Sequence, residues 1–172
     1  MIISTNPDPN RSEFNLLLKS TVSELNIHAK KSPKKISTLL GRNLEPYVEK
    51  VMVDLAVGTR FENSIEYIGG QKFPDIVAKK YYGIEVKTTK QGHWRTTGNS
   101  VLESTRVDDV ERIFMLFAKL ASPIEFRCRP YEEVLSEVVV THSPRYLIDM
   151  NLEQGKTIFD KIKIPVGFFC EL

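Results

Sequence analysis

Residues 74–87 read PDIVAKKYYGIEVK, and this stretch decides the fold of the chain. Residues 74–78 and 82–88 are two runs rich in apolar and β-branched side chains, and the charged pair Lys79-Lys80 separates them. Two such runs around a short polar break predict an antiparallel β-hairpin. The chain is therefore expected to fold around two neighbouring strands joined at Lys79-Lys80.

The two faces of the predicted hairpin carry different chemistry. Side chains two apart on a strand point to the same face, so Glu85 and Lys87 project together. Ile84 and Val86 then project to the opposite, apolar face. The tight turn brings Asp75, at the start of the first strand, back beside Glu85. The sequence therefore predicts two carboxylates and one ammonium group around a single spot on the sheet.

The part of the chain before the hairpin has helical periodicity. Apolar residues at helical spacing predict helices over residues 13–29, 33–40 and 44–57. Ser32 and Pro33 are typical of an N-cap and a first helical position, and Gly41 is expected to end the second helix. Residues 1–12 are expected to form a loose arm, and residues 13–57 a helical part.

The remainder of the chain, residues 58–172, is predicted to be a sheet-rich catalytic core. Beyond the hairpin and its preceding Gly69-Gly70 turn, strands are predicted at 61–68, 113–117, 124–129, 138–141 (expected to be buried) and 164–169. Residues 107–120 also fit a helix, but the five apolar residues of 113–117 favour a strand. A short helix is predicted at 131–135 and a long polar loop at 89–106. Helices followed by strands predict one α+β domain over 1–172, with a mixed sheet of four or more strands.

Composition excludes several classes of protein. The chain has 172 residues, of which 41% are hydrophobic and 27% charged, which suits one compact domain. The formal net charge of +2 is too small to indicate a nucleic-acid partner by itself. Two scattered cysteines predict neither a disulfide framework nor a zinc site. No signal peptide or long apolar span is visible, so we expect a cytoplasmic protein without a membrane partner. The apolar final residues suggest that the chain is one domain of a longer protein.

Asp75, Glu85 and Lys87 are the kinds of group that phosphodiester hydrolysis requires. A divalent cation neutralises the anionic diester and lowers the pKa of a bound water. Mg²⁺ takes oxygen ligands, so Asp75, Glu85 and the carbonyl of Val86 are the candidate metal ligands. Lys87 would stabilise the charge that develops on the phosphate or position the attacking water, or act as a base if its pKa is lowered. The alternative is a solvated strand face with an ordinary Glu-x-Lys triplet.

Pro74-Asp75 followed by Glu85-Val86-Lys87 resembles the motif of the PD-(D/E)xK nuclease superfamily, which includes type II restriction endonucleases. The motif covers residues 74–87 alone, although residues 141–146, THSPRY, are also similar to segments of restriction-type nucleases. The resemblance implies an α/β/α restriction-endonuclease-like fold, with a mixed sheet flanked by helices. It also implies Mg²⁺-dependent, sequence-specific cleavage of double-stranded DNA, with Mn²⁺ able to substitute and a cognate methyltransferase in the cell.

Cutting both strands of a duplex usually needs two active sites, so the nuclease interpretation predicts a homodimer. Other functions fit the same residues. A repair or junction-resolving nuclease of the same superfamily is one alternative, and a non-catalytic DNA-binding subunit is another. A globular protein without a nucleic-acid role is the third.

Many members of the superfamily also carry a glutamate on the helix before the first catalytic strand. Glu45 and Glu49 are the two candidates in this chain. Glu45 lies nearer the apolar stripe of the predicted helix, whereas Pro46 favours a role for Glu45 as an ordinary cap. We predict Glu45 as the fourth catalytic residue.

The segment after the second strand of the hairpin offers groups that can contact DNA. It starts beside the predicted site and contains basic, amide and hydroxyl side chains suited to phosphates and base edges. The predicted DNA-binding residues are Lys90, Gln91, His93, Trp94, Arg95 and Asn99. The alternative is a polar surface loop anchored by the single tryptophan. A lysine cluster at residues 30–35 fits a DNA backbone contact or a solvated helix face equally well.

Overall fold

The computed structural model describes residues 6–8, 10–70, 72–102, 105–140 and 142–163, apart from the side chain of Arg42. The α-helices are α1 (Arg11–Lys31), α2 (Pro33–Ser37), α3 (Leu44–Ala56) and α4 (Ile158–Ile162). The strands are β1 (Ile65–Tyr67), β2 (Ile76–Ala78), β3 (Tyr82–Thr89), β4 (Arg95–Ser100), β5 (Arg112–Lys119), β6 (Glu125–Pro130), β7 (Leu135–Val140) and β8 (Pro144–Asp149). Single 3₁₀ turns occupy Gly41–Asn43 and Tyr131–Val134. No helix in these ranges is long and apolar enough to cross a membrane. The strand predicted at 164–169 lies outside the described residues.

Five strands form the central sheet, in the order β1-β2-β3-β5-β6. β2 is antiparallel to β1 and to β3, β5 is parallel to β3, and β6 is antiparallel to β5. The β2–β3 pair is the predicted hairpin, and its turn contains Lys79 and Lys80, both with a φ of 53°. The α+β class and the mixed sheet of four or more strands are therefore confirmed. The segment 107–120 contains β5, so the strand favoured there is also confirmed.

Helices α1 and α3 cover one face of the central sheet. Their apolar stripes pack against strand side chains that point to this face, and burial of this apolar surface holds the layers together. The buried contributors include Phe14, Leu25, Val48, Met52, Ile84 and Val86. Ile84 and Val86 therefore face the helices, as predicted, and Glu85 and Lys87 belong to the opposite face.

A second sheet, in the order β4-β8-β7, covers the other face. A separate core lies between the two sheets and includes Met115, Phe117, Trp94, Tyr131, Ile148 and Phe159. Helices were predicted on both faces, and on this face the prediction is wrong. The connection between the parallel strands β3 and β5 passes through β4 because residues 89–106 contain no apolar stripe of helical period. The short helix α4 contributes only Phe159 and Ile158 to this core.

Several local predictions are corrected by the structure. Residues 89–106 are not a long loop, because the Thr-rich segment of β4 bonds to β8. β1 is shorter than the predicted 61–68, since residues 59–63 form turns and Asn63 has a φ of 57°. β7 confirms the strand predicted at 138–140, but Val138 and Val140 are exposed on it rather than buried. β8 and α4 were not predicted.

The helix starts agree better with prediction than the helix ends. α2 begins at Pro33 and ends at Ser37 rather than near Leu40, and Ser32 occupies the N-cap position without a side-chain hydrogen bond. α3 matches its predicted extent closely. The described part of the N-terminal arm is held to the sheet, since Tyr81 Oη donates to the Pro7 carbonyl at 3.0 Å and Tyr82 donates to the carboxylate of Asp8.

Candidate active site

Asp75 lies beside β3, one position before the first residue of β2. The β2–β3 register pairs Ile76 with Ile84, so the next position along the register places Asp75 opposite Glu85. The backbone N–H of Val86 donates to Asp75 Oδ2 at 2.8 Å. The carboxylate of Asp75 is therefore tied to the strand that carries Glu85 and Lys87, as the hairpin predicted.

The close packing of Pro74 on β3 also positions Asp75. Gly83 lies under Pro74, where a Cβ atom at position 83 would come within 2.3 Å of Pro74 Cγ. Only glycine lets the two strands approach in this way. The glycine inside the PDIVAKKYYGIEVK stretch is thus required by the geometry that brings the two acids together.

Glu85 and Lys87 form an ion pair on the face that points away from the helices. Lys87 Nζ donates to Glu85 Oε1, and the side chain of Glu85 is only 3% exposed. Glu85 Oε2 is buried and has no hydrogen-bond partner among the described residues. A buried carboxylate oxygen without a donor is costly when the carboxyl group is ionised.

Glu45 brings a third carboxylate to the same region from the first turn of α3. Tyr67 Oη, from β1, donates to Glu45 Oε2 at 3.0 Å. The charge of Glu45 also contributes to raising the pKa of Asp75, of Glu85 and of Lys87. The helix glutamate predicted from the sequence therefore lies close enough for its charge to act on all three hairpin residues. Tyr67, which orients it, carried no sequence signal.

Burial dominates the electrostatics of these groups. Burial raises the pKa of Asp75, although the hydrogen bond from Val86 and the charge of Lys87 act to lower it. Burial also raises the pKa of Glu85, although the charge of Lys87 acts to lower it. Burial is the largest single influence on Lys87 and would lower its pKa. The charge of Glu85, the hydrogen bond to Glu85 and the charges of Asp75 and Glu45 together outweigh burial, so the pKa of Lys87 is raised. Lys87 is thus held as an ammonium ion, and the condition for a role as general base is not met.

The raised carboxyl pKa values predict how the stability of the metal-free protein depends on pH. Folding raises the pKa of Asp75 from 3.8 to about 6 and that of Glu85 from 4.5 to about 7. Between about pH 4, where the carboxyl groups of the unfolded chain begin to ionise, and about pH 7, the folded state binds more protons than the unfolded state. The free energy of unfolding therefore falls as the pH rises through this range. We expect the melting temperature in EDTA to fall through this window.

A double variant, Asp75→Asn with Glu85→Gln, provides the comparison for this pH series. Its melting temperature should change less with pH than that of the wild type, because neither replaced side chain titrates. An identical pH profile in the two proteins would contradict the predicted protonation of the pair.

Five of the six predicted DNA-binding residues are exposed or half-buried, and the sixth, Trp94, is buried. Lys90, Gln91 and His93 are exposed on the turn after β3, and Asn99 is half-buried on β4. Arg95 is 63% exposed and its Nε donates to Asp149 Oδ2 at 2.7 Å. Their contact with DNA stays a prediction.

Trp94 is only 6% exposed, so little of its ring is open to solvent although it lines a surface cavity, and its contact with DNA stays a prediction. It packs on Phe117 with ring centroids 5.7 Å apart, and the guanidinium of Arg127 lies 4.0 Å from the centroid of its ring. Trp94 therefore anchors the turn after β3 to the second core, which is the structural alternative that the sequence left open.

The lysine cluster of residues 30–35 is exposed where α1 meets α2. Asn26 fixes this end of α1 to the sheet, since its amide exchanges hydrogen bonds of 3.1 and 2.9 Å with the backbone of Phe126. Contact of these lysines with DNA stays a prediction.

The sequence did not identify Asp149, Asn151 and Lys156, which line the same cavity as Arg95. They were missed because β8 and the segment after it carry no motif.

Three surface cavities of about 440 to 660 Å³ are not lined by Asp75, Glu85 or Lys87. A polymeric substrate would bind along an open surface and would not require a closed pocket at these residues. In the described ranges no three acidic, His or Cys side chains are grouped tightly enough to hold a metal ion together. Mg²⁺ usually takes only one or two carboxylates and completes its shell with water and phosphate.

Comparison of the chain with protein-family models, with curated proteins and with solved structures found no match. The chemistry of the site therefore has to be inferred from its own side chains.

Proposed function

We propose that the protein is a Mg²⁺-dependent endonuclease that hydrolyses phosphodiester bonds of double-stranded DNA, of restriction type and sequence-specific. The observation that carries this proposal is the convergence of Asp75, Glu85 and Lys87 on one spot of the sheet. Glu45 adds a fourth charged group. The proposal includes a PD-(D/E)xK fold for the central sheet, with the second sheet in place of a helical layer on one face.

The donor set of the site suits a divalent cation. Asp75 and Glu85 are oxygen ligands held close together, and Glu85 Oε2 is buried without a donor. Burial raises the pKa of both carboxyl groups, so ionising them is unfavourable unless a cation is present. These two carboxylates, with the carbonyl of Val86, would hold Mg²⁺. When bound, Mg²⁺ would neutralise the phosphate and make a bound water more acidic.

The protein's own residues have separate roles in this scheme. Lys87 keeps its positive charge and its Nζ can donate to a phosphate oxygen, which stabilises the negative charge that develops during attack by water. Asp75 is held rigidly by the N–H of Val86, so its position does not have to be adjusted during the reaction. Glu45, oriented by Tyr67, increases the negative potential that attracts the cation.

A duplex substrate also determines the proposed assembly. One site cuts one strand, so cleavage of both strands at a fixed spacing needs a second copy of the site. We therefore propose a homodimer on DNA. The exposed side chains of Lys90, Gln91 and His93 follow β3 directly and would lie along the bound strand.

Incubation with plasmid DNA, with and without Mg²⁺, tests the proposal directly. We expect discrete linear fragments only with Mg²⁺ (or Mn²⁺), and sequencing of the fragment ends should give one recurrent sequence. Cleavage restricted to branched DNA would instead identify a junction-resolving nuclease. DNA binding without cleavage would identify a non-catalytic subunit, and absence of binding at low salt would reject a nucleic-acid role altogether.

A further inference from the structure

A cleft of about 660 Å³ opens between the turn after β3 and the segment that follows β8. Its lining includes His93 and Arg95 from the segment after β3, and Asp149, Asn151 and Lys156 from the end of β8 and the segment after it. This volume is within the usual range for a pocket that binds a small ligand or one unit of a polymer.

The polar wall of the cleft is built around a buried acid. Asp149 accepts hydrogen bonds from Arg95 Nε at 2.7 Å and from the backbone N–H of Asn151 at 2.9 Å. Its carboxylate therefore neutralises and orients the guanidinium group of Arg95. Because Asp149 engages Nε, the two terminal amino groups of Arg95 remain for a ligand, and this planar fork matches a phosphate group.

The polar groups of the cleft are linked to one another. Arg127 packs on the buried ring of Trp94, and its terminal nitrogen donates to Asn151 Oδ1 at 2.8 Å. Since the backbone N–H of Asn151 donates to Asp149, which accepts from Arg95, one connected set of hydrogen bonds joins Arg127 to Arg95. A preorganised wall of this kind loses little side-chain entropy when a ligand binds.

The cleft lies close to the candidate active site. Lys87 and Phe117 are neighbours in the register of β3 and β5, and Phe117 contacts the ring of Trp94. The first step is one strand spacing of about 4.8 Å, and the second joins the two layers over 5.7 Å between ring centroids, so the path is about 10 Å long. A DNA strand advances about 3.4 Å per nucleotide along the helix axis, so the cleft is within about three nucleotides of a phosphate at Lys87.

We propose that this cleft binds a backbone phosphate of the strand being cut, within about three nucleotides of the scissile bond. Arg95 provides the oriented guanidinium fork, and Lys156 provides a second positive charge from the segment after β8. The carboxylates of Asp149 and Glu153, also in the lining, oppose an anion, so their charges should limit the affinity. This assignment rests on the proposed function, because the distance is counted from the nuclease site.

Binding of a duplex with one neutral methylphosphonate tests the cleft without relying on cleavage. Fluorescence anisotropy, with Ca²⁺ in place of Mg²⁺, would measure the affinity for a set of duplexes that contain the recognition sequence, each modified at a different position. For the wild type we expect the affinity to fall about tenfold when the methylphosphonate lies at one position near the cut, as for a lost charge-assisted hydrogen bond. Arg95→Ala should bind unmodified DNA about tenfold more weakly than the wild type does. In this variant the methylphosphonate at that one position should cause no further loss of affinity, whereas its effect at every other position should be unchanged.

The controls separate this contact from general charge and from misfolding. Arg60 is a matched arginine, because it is 51% exposed and paired with a carboxylate, that of Glu13, far from the cleft. Arg60→Ala should keep the wild-type pattern. Arg95→Lys keeps a charge beside Asp149, but without the guanidinium fork it should not show the loss of affinity at the one modified position. Glu153→Gln removes a negative charge from the cleft and should raise the affinity for unmodified DNA.

Two results would overturn the assignment of the cleft. One is an Arg95→Ala protein that is folded, as judged by its melting curve, and keeps the full position-specific loss. The other is a wild type that is equally sensitive at every phosphate. Failure of the proposed function is detected separately, as absence of Mg²⁺-dependent cleavage by the wild type.

Discussion

Replacing Asp75 with Asn is expected to lower the rate of DNA cleavage at least about 1000-fold, which corresponds to about 4 kcal/mol of transition-state stabilisation. The substitution removes one of the two carboxylates that would hold the cation, and with it the charge that makes the site attractive to Mg²⁺. Glu85→Ala and Lys87→Ala should have effects of the same order, since the three groups act as a unit. Single-turnover cleavage of a labelled duplex would measure the rates.

The fold should survive this substitution. The side-chain oxygen of Asn can still accept the hydrogen bond from the N–H of Val86, and loss of a buried charge removes an unfavourable ionisation. DNA binding should therefore persist. Glu45→Gln should also reduce cleavage, whereas Glu49→Gln, one turn further along α3, is the matched control and should cut normally. Normal cleavage by Lys87→Ala would show that the role assigned to Lys87 is wrong.

Phe14→Ala is expected to destabilise the protein by about 3–5 kcal/mol, a large share of the total stability of a typical domain. Phe14 is fully buried, and its ring stacks on Tyr82 with centroids 4.0 Å apart. It also contacts the rings of Phe61 and Phe114 at 5.2 and 5.4 Å. Its removal leaves a cavity where α1, β3 and β5 meet, which the rigid aromatic neighbours cannot fill. Urea unfolding would measure the loss.

Leu16→Ala is the control for this substitution. Leu16 belongs to the same helix but is 61% exposed, so its truncation should change the free energy of unfolding by no more than about 0.5 kcal/mol. Equal effects of the two substitutions would contradict the packing of α1 against the central sheet.

The hairpin and the helix glutamate were predictable because both depend on short-range patterns. Alternation along residues 82–88 determines which side chains share a face, and the three-residue turn between Ala78 and Tyr82 leaves little freedom in how the strands pair. The position of Asp75 beside Glu85 follows from that register. Glu45 was favoured over Glu49 from the apolar stripe of α3, and the structure places its carboxylate near the hairpin residues.

The second sheet could not be predicted in the same way. β4 is rich in Thr, Gly and Ser, and β8 begins with Pro and Arg, so neither has the apolar alternation of an isolated strand. Each becomes a strand because its backbone pairs with the other, and such pairing depends on the whole fold. The same reason explains why the cleft residues Asp149, Asn151 and Lys156 were missed.

Side-chain periodicity over a few residues was enough to predict the α+β class, the β2–β3 hairpin and the grouping of two acids with a lysine on one face. The pairing and packing of distant segments set the rest: a sheet replaces helices on the second face, Trp94 is a packing residue, and Arg95 meets Asp149. These features join residues that are far apart in the chain, such as Trp94 with Phe117 and Arg95 with Asp149, and no local pattern encodes which distant segments will meet.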